Sequence, residues 1–422
     1  MSFYKVLKHT IVFKLINTVF VFLINLLLIR LLGATDSGIF FYDIAVCSFI
    51  ILLLSWSMDS GVNYYASKNN QLITPLFGFV MLLLLVQVLF CWILIHFLKF
   101  SIGSFLAIIF IISNLALIYA TSLLYALKKF RLLNIVTSSI NLLITVILFY
   151  CFKFKVFAGT QQYYMAIYII GIAILALLIL IILLLGLKKN TLPFVAISPV
   201  IKNIFSYSSV AIISNVITFL VTRMDYFFVQ KYCSSVALSN YIQVSKFGQL
   251  LILIPIAIAS ILFPLSASDT RLITLDKVQQ LCRSITIIFV FATIIIILTA
   301  HRFLPWFYGG NFDQMYIALL FYLPGFFAFS ITTILAAHLA GIKQLKTNLT
   351  ASVVALSIVF TGDLLFIPVM GINAAAAVSS IGYIAGAVYL LFWYKKKYNC
   401  TTSDFIVFNK KDIIYFLHQF LP

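Results

Sequence analysis

The chain has 422 residues, of which 64% are hydrophobic and 9% charged, against roughly 45–50% apolar and about 25% charged in an ordinary soluble domain. A soluble globular fold is excluded, because so few charges cannot cover a water-facing surface. The formal net charge of +18 would suit a nucleic-acid partner, but the basic residues lie scattered between apolar runs, as loop charges do at a membrane.

A helix needs about 20 residues to cross roughly 30 Å of hydrocarbon. Twelve such runs are predicted, at 10–32, 38–58, 75–98, 102–127, 132–152, 163–187, 206–230, 238–264, 284–304, 315–340, 347–369 and 372–394. Lys5 and Lys8 precede the first run as they would in a signal peptide. That run is of full span length, however, and no small-residue cleavage site follows, so it is expected to stay as the first helix. The predicted fold class is an all-α membrane protein of about twelve spans. It divides into an N-terminal lobe (1–190, helices 1 to 6), a C-terminal lobe (191–394, helices 7 to 12) and a tail (395–422).

Polar groups inside these runs are the candidate functional residues, because an ionisable residue at membrane depth costs about 2.5–3.5 kcal/mol on insertion scales. In the first run Lys14, Thr18 and Asn25 fall within about 40° of one another at helical spacing, with Asn17 beside them. Asp43 stands in the second run. The seventh run carries Ser208, Asn215, Thr218, Thr222 and Asp225 along one stripe, with Arg223 on a different face. Lys246 follows in the eighth run, where it could reach Asp225, and Asp363 in the eleventh. Polar stripes on the first helix of each lobe suit a central aqueous cavity; hydrogen bonding between helices is the rival reading. For Lys14 snorkelling to the headgroups competes with cavity lining. For Asp43 and Asp363 a buried structural hydrogen bond competes with proton coupling.

Pro255 and Pro264 in the eighth run, and Pro324-Gly325 in the tenth, permit kinks. The tail places Ile406, Ile413, Leu417 and Phe420 at helical spacing among Lys410, Lys411 and His418. An interfacial helix on the inner leaflet and a disordered tail both fit this pattern.

An N-terminus in the cytoplasm puts nineteen of the 28 basic residues on the inner side and six on the outer, with Lys14, Arg223 and Lys246 inside spans. The positive-inside rule then places both termini in the cytoplasm. Six cysteines without a CxxC pair signal neither zinc nor a disulfide framework. The absence of a GxxxxGK[ST] loop argues against ATP hydrolysis within the chain. All ten acidic residues are Asp, for which no physical reason is evident. Shifting the chain by 201 residues lays Arg30 on Lys231, Gly38 on Ser239, Phe40 on Tyr241 and Ala66-Ser67 on Ala267-Ser268, so the two halves read as a parallel repeat.

The segment "LLLIRLLGATDSGIFFYDIAVCSFIILLLSWSMDSGVNYYAS" resembles the start of bacterial polysaccharide flippases of the Wzx type. These belong to the multidrug, oligosaccharidyl-lipid and polysaccharide (MOP) exporter superfamily. The second half is similar again in "FSYSSVAIISNVITFLVTRMDYFFVQKYCSSVALSNYIQVSKFGQLLILIPIAIASILFPLSAS", through Arg223, Asp225, Tyr241 and Pro264. So is "GDLLFIPVMGINAAAAVSSIGYIAGAVY", although Asn373 stands where that family usually has Gly.

The resemblance implies a MATE-like MOP fold in the bacterial inner membrane. It also implies a cargo of undecaprenyl-diphosphate-linked oligosaccharide, flipped from the inner to the outer leaflet for O-antigen or capsule assembly, by alternating access coupled to an ion gradient. Besides membrane lipids, the implied partners include a polysaccharide polymerase and a chain-length regulator; no cofactor, metal or nucleic acid is expected. Lys14, Asn17, Asn25, Asn215, Thr218, Arg223 and Lys246 are the candidate contacts for the diphosphate and sugars. Asp43, Asp225 and Asp363 are the candidates for ion coupling. The rival functions are a MATE-like drug or metabolite antiporter, whose cavity acids would bind cations, and a membrane glycosyltransferase or O-antigen polymerase, which should show a sizeable external loop. A lipid II flippase would usually have two further helices.

Overall fold

A computed structural model of the protein describes residues 3–98, 100–157, 160–187, 198–268 and 274–407. Among them there is no strand. The α-helices are, in order, α1 (Phe3–Ser55), α2 (Met58–Lys68), α3 (Ile73–Phe97), α4 (Ser104–Ala126), α5 (Phe130–Phe154), α6 (Gln161–Gly186), α7 (Ser198–Tyr232), α8 (Ser235–Leu251), α9 (Leu253–Ser268), α10 (Leu275–Tyr308), α11 (Met315–Gly341), α12 (Leu345–Tyr398) and α13 (Ser403–Ile406).

Helices α1 and α12, of 53 and 54 residues, would each be about 80 Å long if straight, more than twice the bilayer core. Each breaks at a glycine with positive φ: Gly33 at φ 75° in α1 and Gly371 at φ 61° in α12. Side chains other than glycine avoid that backbone region. The eighth predicted run is likewise broken into α8 and α9, bent by 46°. Pro255 explains the position, because a proline ring collides with the carbonyl four residues earlier, here that of Leu251, the last residue of α8. The described residues hold nine helices long and apolar enough to cross a membrane, besides that bent pair. With α1 and α12 each counted as two, the twelve expected spans are present in a multi-pass helical membrane fold.

The chain separates into two compact units, Met1–Val216 and Ile217–Pro422, with the division inside α7. The sequence-based boundary at residue 190 falls in 188–197, outside the described residues. In the first unit α4 is the central helix, packed by α1, α2, α3 and α6. Its Tyr119 is fully buried; the hydroxyl donates to Ser55 O and accepts from Gln87 Nε2 at 2.8 Å, while Gln87 also donates to Leu54 O at 2.7 Å. Side chains of α3 and α4 thus satisfy the carbonyls that the end of α1 leaves open.

Trp56 and Ser57, both at positive φ, then turn the chain into α2. This helix lies where the sequence predicts only a connection. It packs along the first half of α7: Trp56 Nε1 donates to Ser209 Oγ at 3.1 Å, and a Cβ on Gly61 would stand 3.0 Å from Ile204 and Ser208. Asp59, just past the second span, is partly buried there, and burial pushes its carboxyl above the usual range.

In the second unit α11 is central, packed by α8, α9, α10 and α12. The two parts of α12 run back along each other from Gly371, and glycines set their spacing. A Cβ on Gly382 would lie 2.5 Å from Val359, and one on Gly362 would lie 2.5 Å from Val378. Pro324 carries no N–H for the ladder of α11, and Ser380 of α12 inserts at that point. Its hydroxyl donates to Phe321 O at 2.6 Å and accepts from Gly325 N at 3.1 Å, so it lies between the two ends of one helical bond. Beyond α12, α13 buries Phe405 against Tyr394, and Arg283 donates to Asp404 O at 2.5 Å. Of the interfacial helix expected over 404–421, the first residues, through Ile406, fall in α13, and the part from 408 onward lies outside the described residues.

Candidate functional site

The second half of α7 carries the ionisable residues that the sequence singles out most strongly. Asp225 is fully buried. Its Oδ1 accepts from the backbone N–H of Tyr226 at 2.9 Å, and its Oδ2 accepts from Ser379 Oγ at 3.1 Å and from the Tyr241 hydroxyl. Three elements therefore converge on one carboxylate: α7, α8 through Tyr241 and the second part of α12 through Ser379.

Two residues earlier, Arg223 donates to the Tyr226 hydroxyl, its guanidinium carbon 5.0 Å from the centre of that ring. Lys246 of α8 is partly buried and close enough to Arg223 for their charges to repel. Among the described residues, Tyr226, Tyr241 and Ser379 hydrogen-bond to Asp225.

Around this centre stand four buried tyrosines. Tyr226 meets Tyr241 edge to face at 5.9 Å, and Tyr241 stacks on Tyr322 of α11 at 6.1 Å with ring planes 8° apart. The hydroxyls of Tyr322 and Tyr383 are 3.2 Å apart, and Tyr383 donates to Val221 O at 3.4 Å. Asp363, on the first part of α12, is also fully buried, and neither of its carboxyl oxygens has a hydrogen-bond partner among the described residues. It is close enough to Asp225 to feel that group's charge, and to Tyr241 to act on it in turn. Burying a carboxyl group without a hydrogen-bond partner is costly.

The other candidates are placed differently. Asn17 accepts from Asn141 Nδ2 of α5 at 2.6 Å, and Asn25 donates to Val21 O within its own helix at 2.7 Å. Asp43 is buried and accepts from the backbone N–H groups of Ser101 and Ile102, at 2.8 and 3.1 Å, so it holds the segment that leads into α4. Asn215 donates to Ser57 Oγ at 2.9 Å in the first unit, whereas Thr218, on an exposed face of α7, belongs to the second. The Lys14 side chain lies outside the described residues. Of the ten candidates, Arg223, Asp225, Lys246 and Asp363 come together in the second unit. Tyr322, Tyr383 and Ser379, which complete that cluster, are not marked by the sequence, because tyrosine and serine in apolar helices usually serve packing and interfaces.

No family model matches the chain, and no curated protein does either. Solved structures do match. The lipid II flippase MurJ in an inward closed conformation is 17% identical, with 96% of this chain and 89% of that one covered and a TM-score of 0.71. An inward-facing multidrug resistance MATE transporter of the MOP superfamily is 11% identical over 90% of this chain and 94% of that one, with a TM-score of 0.65. The Vibrio cholerae MATE transporter VcmN in its bent form is 13% identical over 95% of this chain and 98% of that one, with a TM-score of 0.59. The chain thus has the fold shared by MurJ and the MATE transporters.

Proposed function

We propose that this protein is a flippase of the bacterial inner membrane. It moves an undecaprenyl-diphosphate-linked oligosaccharide from the inner to the outer leaflet for O-antigen or capsule assembly, by alternating access coupled to proton movement. The observation that carries the proposal is the cluster of Arg223, Lys246, Asp225 and Asp363 within apolar spans of the second unit. Ionisable groups at such depth are costly and are kept where a charged cargo or a coupling ion must be met.

Two neighbouring cations suit a diphosphate, which Arg binds through paired hydrogen bonds and Lys as a point charge. The two carboxyls suit proton exchange, since among the described residues one is held by three hydrogen bonds and the other by none. Asn17, Asn25, Asn215 and Thr218 supply amide and hydroxyl groups for the sugar head, and Lys14 a further cation. Asp43 is the third ion-coupling candidate. The likeness to MurJ, described as a lipid II flippase, supports a lipid-linked cargo. A polymerase and a chain-length regulator would receive the exported unit.

The test is deletion of the gene in its host, with readout of surface polysaccharide and of lipid-linked repeat units facing the cytoplasm. Deletion should abolish display and accumulate those units. Wild-type protein should restore export, and inserted Arg223→Ala should lower it by at least about tenfold, the cost of removing one charge-assisted contact. Normal display after deletion, in a host without a second flippase, rejects the proposal. Cation efflux that depends on Asp363, with polysaccharide display unaffected, would favour a drug or metabolite antiporter.

A further inference from the structure

In the first unit, at its cytoplasmic end in the proposed topology, α2 and the first half of α7 border a shallow groove of about 580 Å³. That volume lies within the range of about 300–1,000 Å³ of small-molecule sites. The groove is lined by Ser60, Asn63, Tyr64, Ser67 and Lys68 of α2 and by Tyr207 of α7. It belongs to a different unit from the charged cluster around Asp225 and contains none of the candidate residues read from the sequence.

The sequence of α2 gives the helix two faces. Met58, Gly61, Val62 and Ala66 are buried and lie at helical spacing. A Cβ on Gly61 would stand 3.0 Å from Ile204 and from Ser208, so the glycine lets α2 approach α7 closely. The bond from Trp56 Nε1 to Ser209 Oγ holds the start of the same contact. This packing brings Tyr64 onto Tyr207, with ring centres 5.7 Å apart and planes 9° from parallel. The two rings remain 51% and 47% exposed, so each keeps an open surface.

Ser60, Asn63, Tyr64, Ser67 and Lys68 form the opposite face of α2, at i, i+3, i+4, i+7 and i+8. A helix face that only meets water is ordinarily rich in charge. This one carries a single cation, and its other groups are hydroxyl, amide and phenol. Ser67 Oγ donates to Asn63 Oδ1 at 3.2 Å, which holds the amide by its oxygen. A ring face beside neutral donors and acceptors complements a pyranose, which has C–H groups on its faces and hydroxyls around its edge. A phosphate is met instead by clustered cations.

We propose that this groove is a docking site for the oligosaccharide head of the cargo on the cytoplasmic side. The open surfaces of Tyr64 and Tyr207 receive sugar rings, and Ser60, Asn63 and Ser67 bond their hydroxyls. The proposal rests on the flippase reading above and deepens it by assigning sugar recognition to a site apart from the ionisable cluster. Selection by sugar and binding of the diphosphate then fall to different units, and either can change while the other is kept.

The test uses the full-length protein in phosphatidylcholine nanodiscs. The probe is the oligosaccharide released by partial acid hydrolysis of the host's surface polysaccharide. Saturation-transfer NMR should show contact between wild-type protein and the C–H protons of the sugar rings. Tyr64→Ala with Tyr207→Ala should weaken binding about tenfold, the loss of two stacking contacts. Tyr64→Phe with Tyr207→Phe should recover most of it, because the ring faces return. Ser67→Leu crowds the groove from an exposed position and should weaken binding as well, which covers the case of a misfolded alanine variant. Absence of transfer from the wild type overturns the docking site, and so does equal binding in the double alanine variant and Ser67→Leu. Fluorotyrosine signals from Tyr64 and Tyr207 that shift with added phosphatidylglycerol and not with the oligosaccharide would make the groove a lipid headgroup site and also overturn the proposal. Unchanged binding in these variants together with lost export in Arg223→Ala would remove the groove and leave the flippase reading standing.

Discussion

Asp225 and Asp363 are equally buried, but among the described residues one is tied by three hydrogen bonds and the other by none. A fixed acceptor beside an unsatisfied one is a pair between which charge can be handed over with little rearrangement. Asp59 shows the opposite situation, an acid with no proposed role that burial merely penalises. Its folded-state affinity for protons exceeds that of the unfolded chain, so the folded form gains relative stability in acid and loses it as pH rises through the folded value. Thermal unfolding in detergent should therefore show wild-type protein more stable in acid than at neutral pH from this source, and Asp59→Asn should narrow the difference.

At this scale the charged half of the site is legible in the sequence, because Arg223, Asp225, Lys246 and Asp363 interrupt apolar runs. The hydroxyl half is not. Ser379 is followed by Ser380, one bonding Asp225 and the other bridging α11, and nothing in their spacing separates the two roles.

At the scale of the helix, the apolar runs predict the spans closely, and the breaks follow from glycine and proline. Pro255 accounts for the end of α8, and positive φ at Gly33 and Gly371 separates consecutive spans inside one continuous stretch of helix. Gly371→Ala should cost about 1–3 kcal/mol, since an L-residue is strained there, and the loss should appear as a lower unfolding temperature in detergent. Helix α2 was illegible because its residues are polar and too few to form a span. It is held instead by tertiary bonds such as Trp56 to Ser209, which no local pattern encodes. Helix α7 likewise reads as one span, although its stripe divides: Ser208 and Asn215 belong to the first unit and Asp225 to the second.

Across the whole molecule, the repeat suggested by the sequence has a counterpart in packing. The fourth span of each half, α4 in one and α11 in the other, is the central helix of its unit. The basic residues lie mostly at alternate connections, and the proposed topology has both termini in the cytoplasm. In a cysteine-free background, Lys343→Cys should react with a membrane-impermeant thiol reagent only in inside-out vesicles, and Asn311→Cys only in intact spheroplasts. The opposite pattern would invert the orientation. The fold class and the number of spans were legible because the hydrocarbon thickness fixes helix length. The division of the chain was not, since it falls inside a helix and leaves no change in composition.

The Ser380 bridge at Pro324 ties the fates of two distant positions. Pro324 opens a gap that Ser380 closes, so Ser380→Ala should be harmful in the native background and much milder once Pro324→Ala has restored the helical ladder, a departure from additivity of about 0.5–3 kcal/mol. Each position thus sets which replacements the other tolerates, and a scan of single substitutions would see only half of a lock whose key lies 56 residues away along the chain.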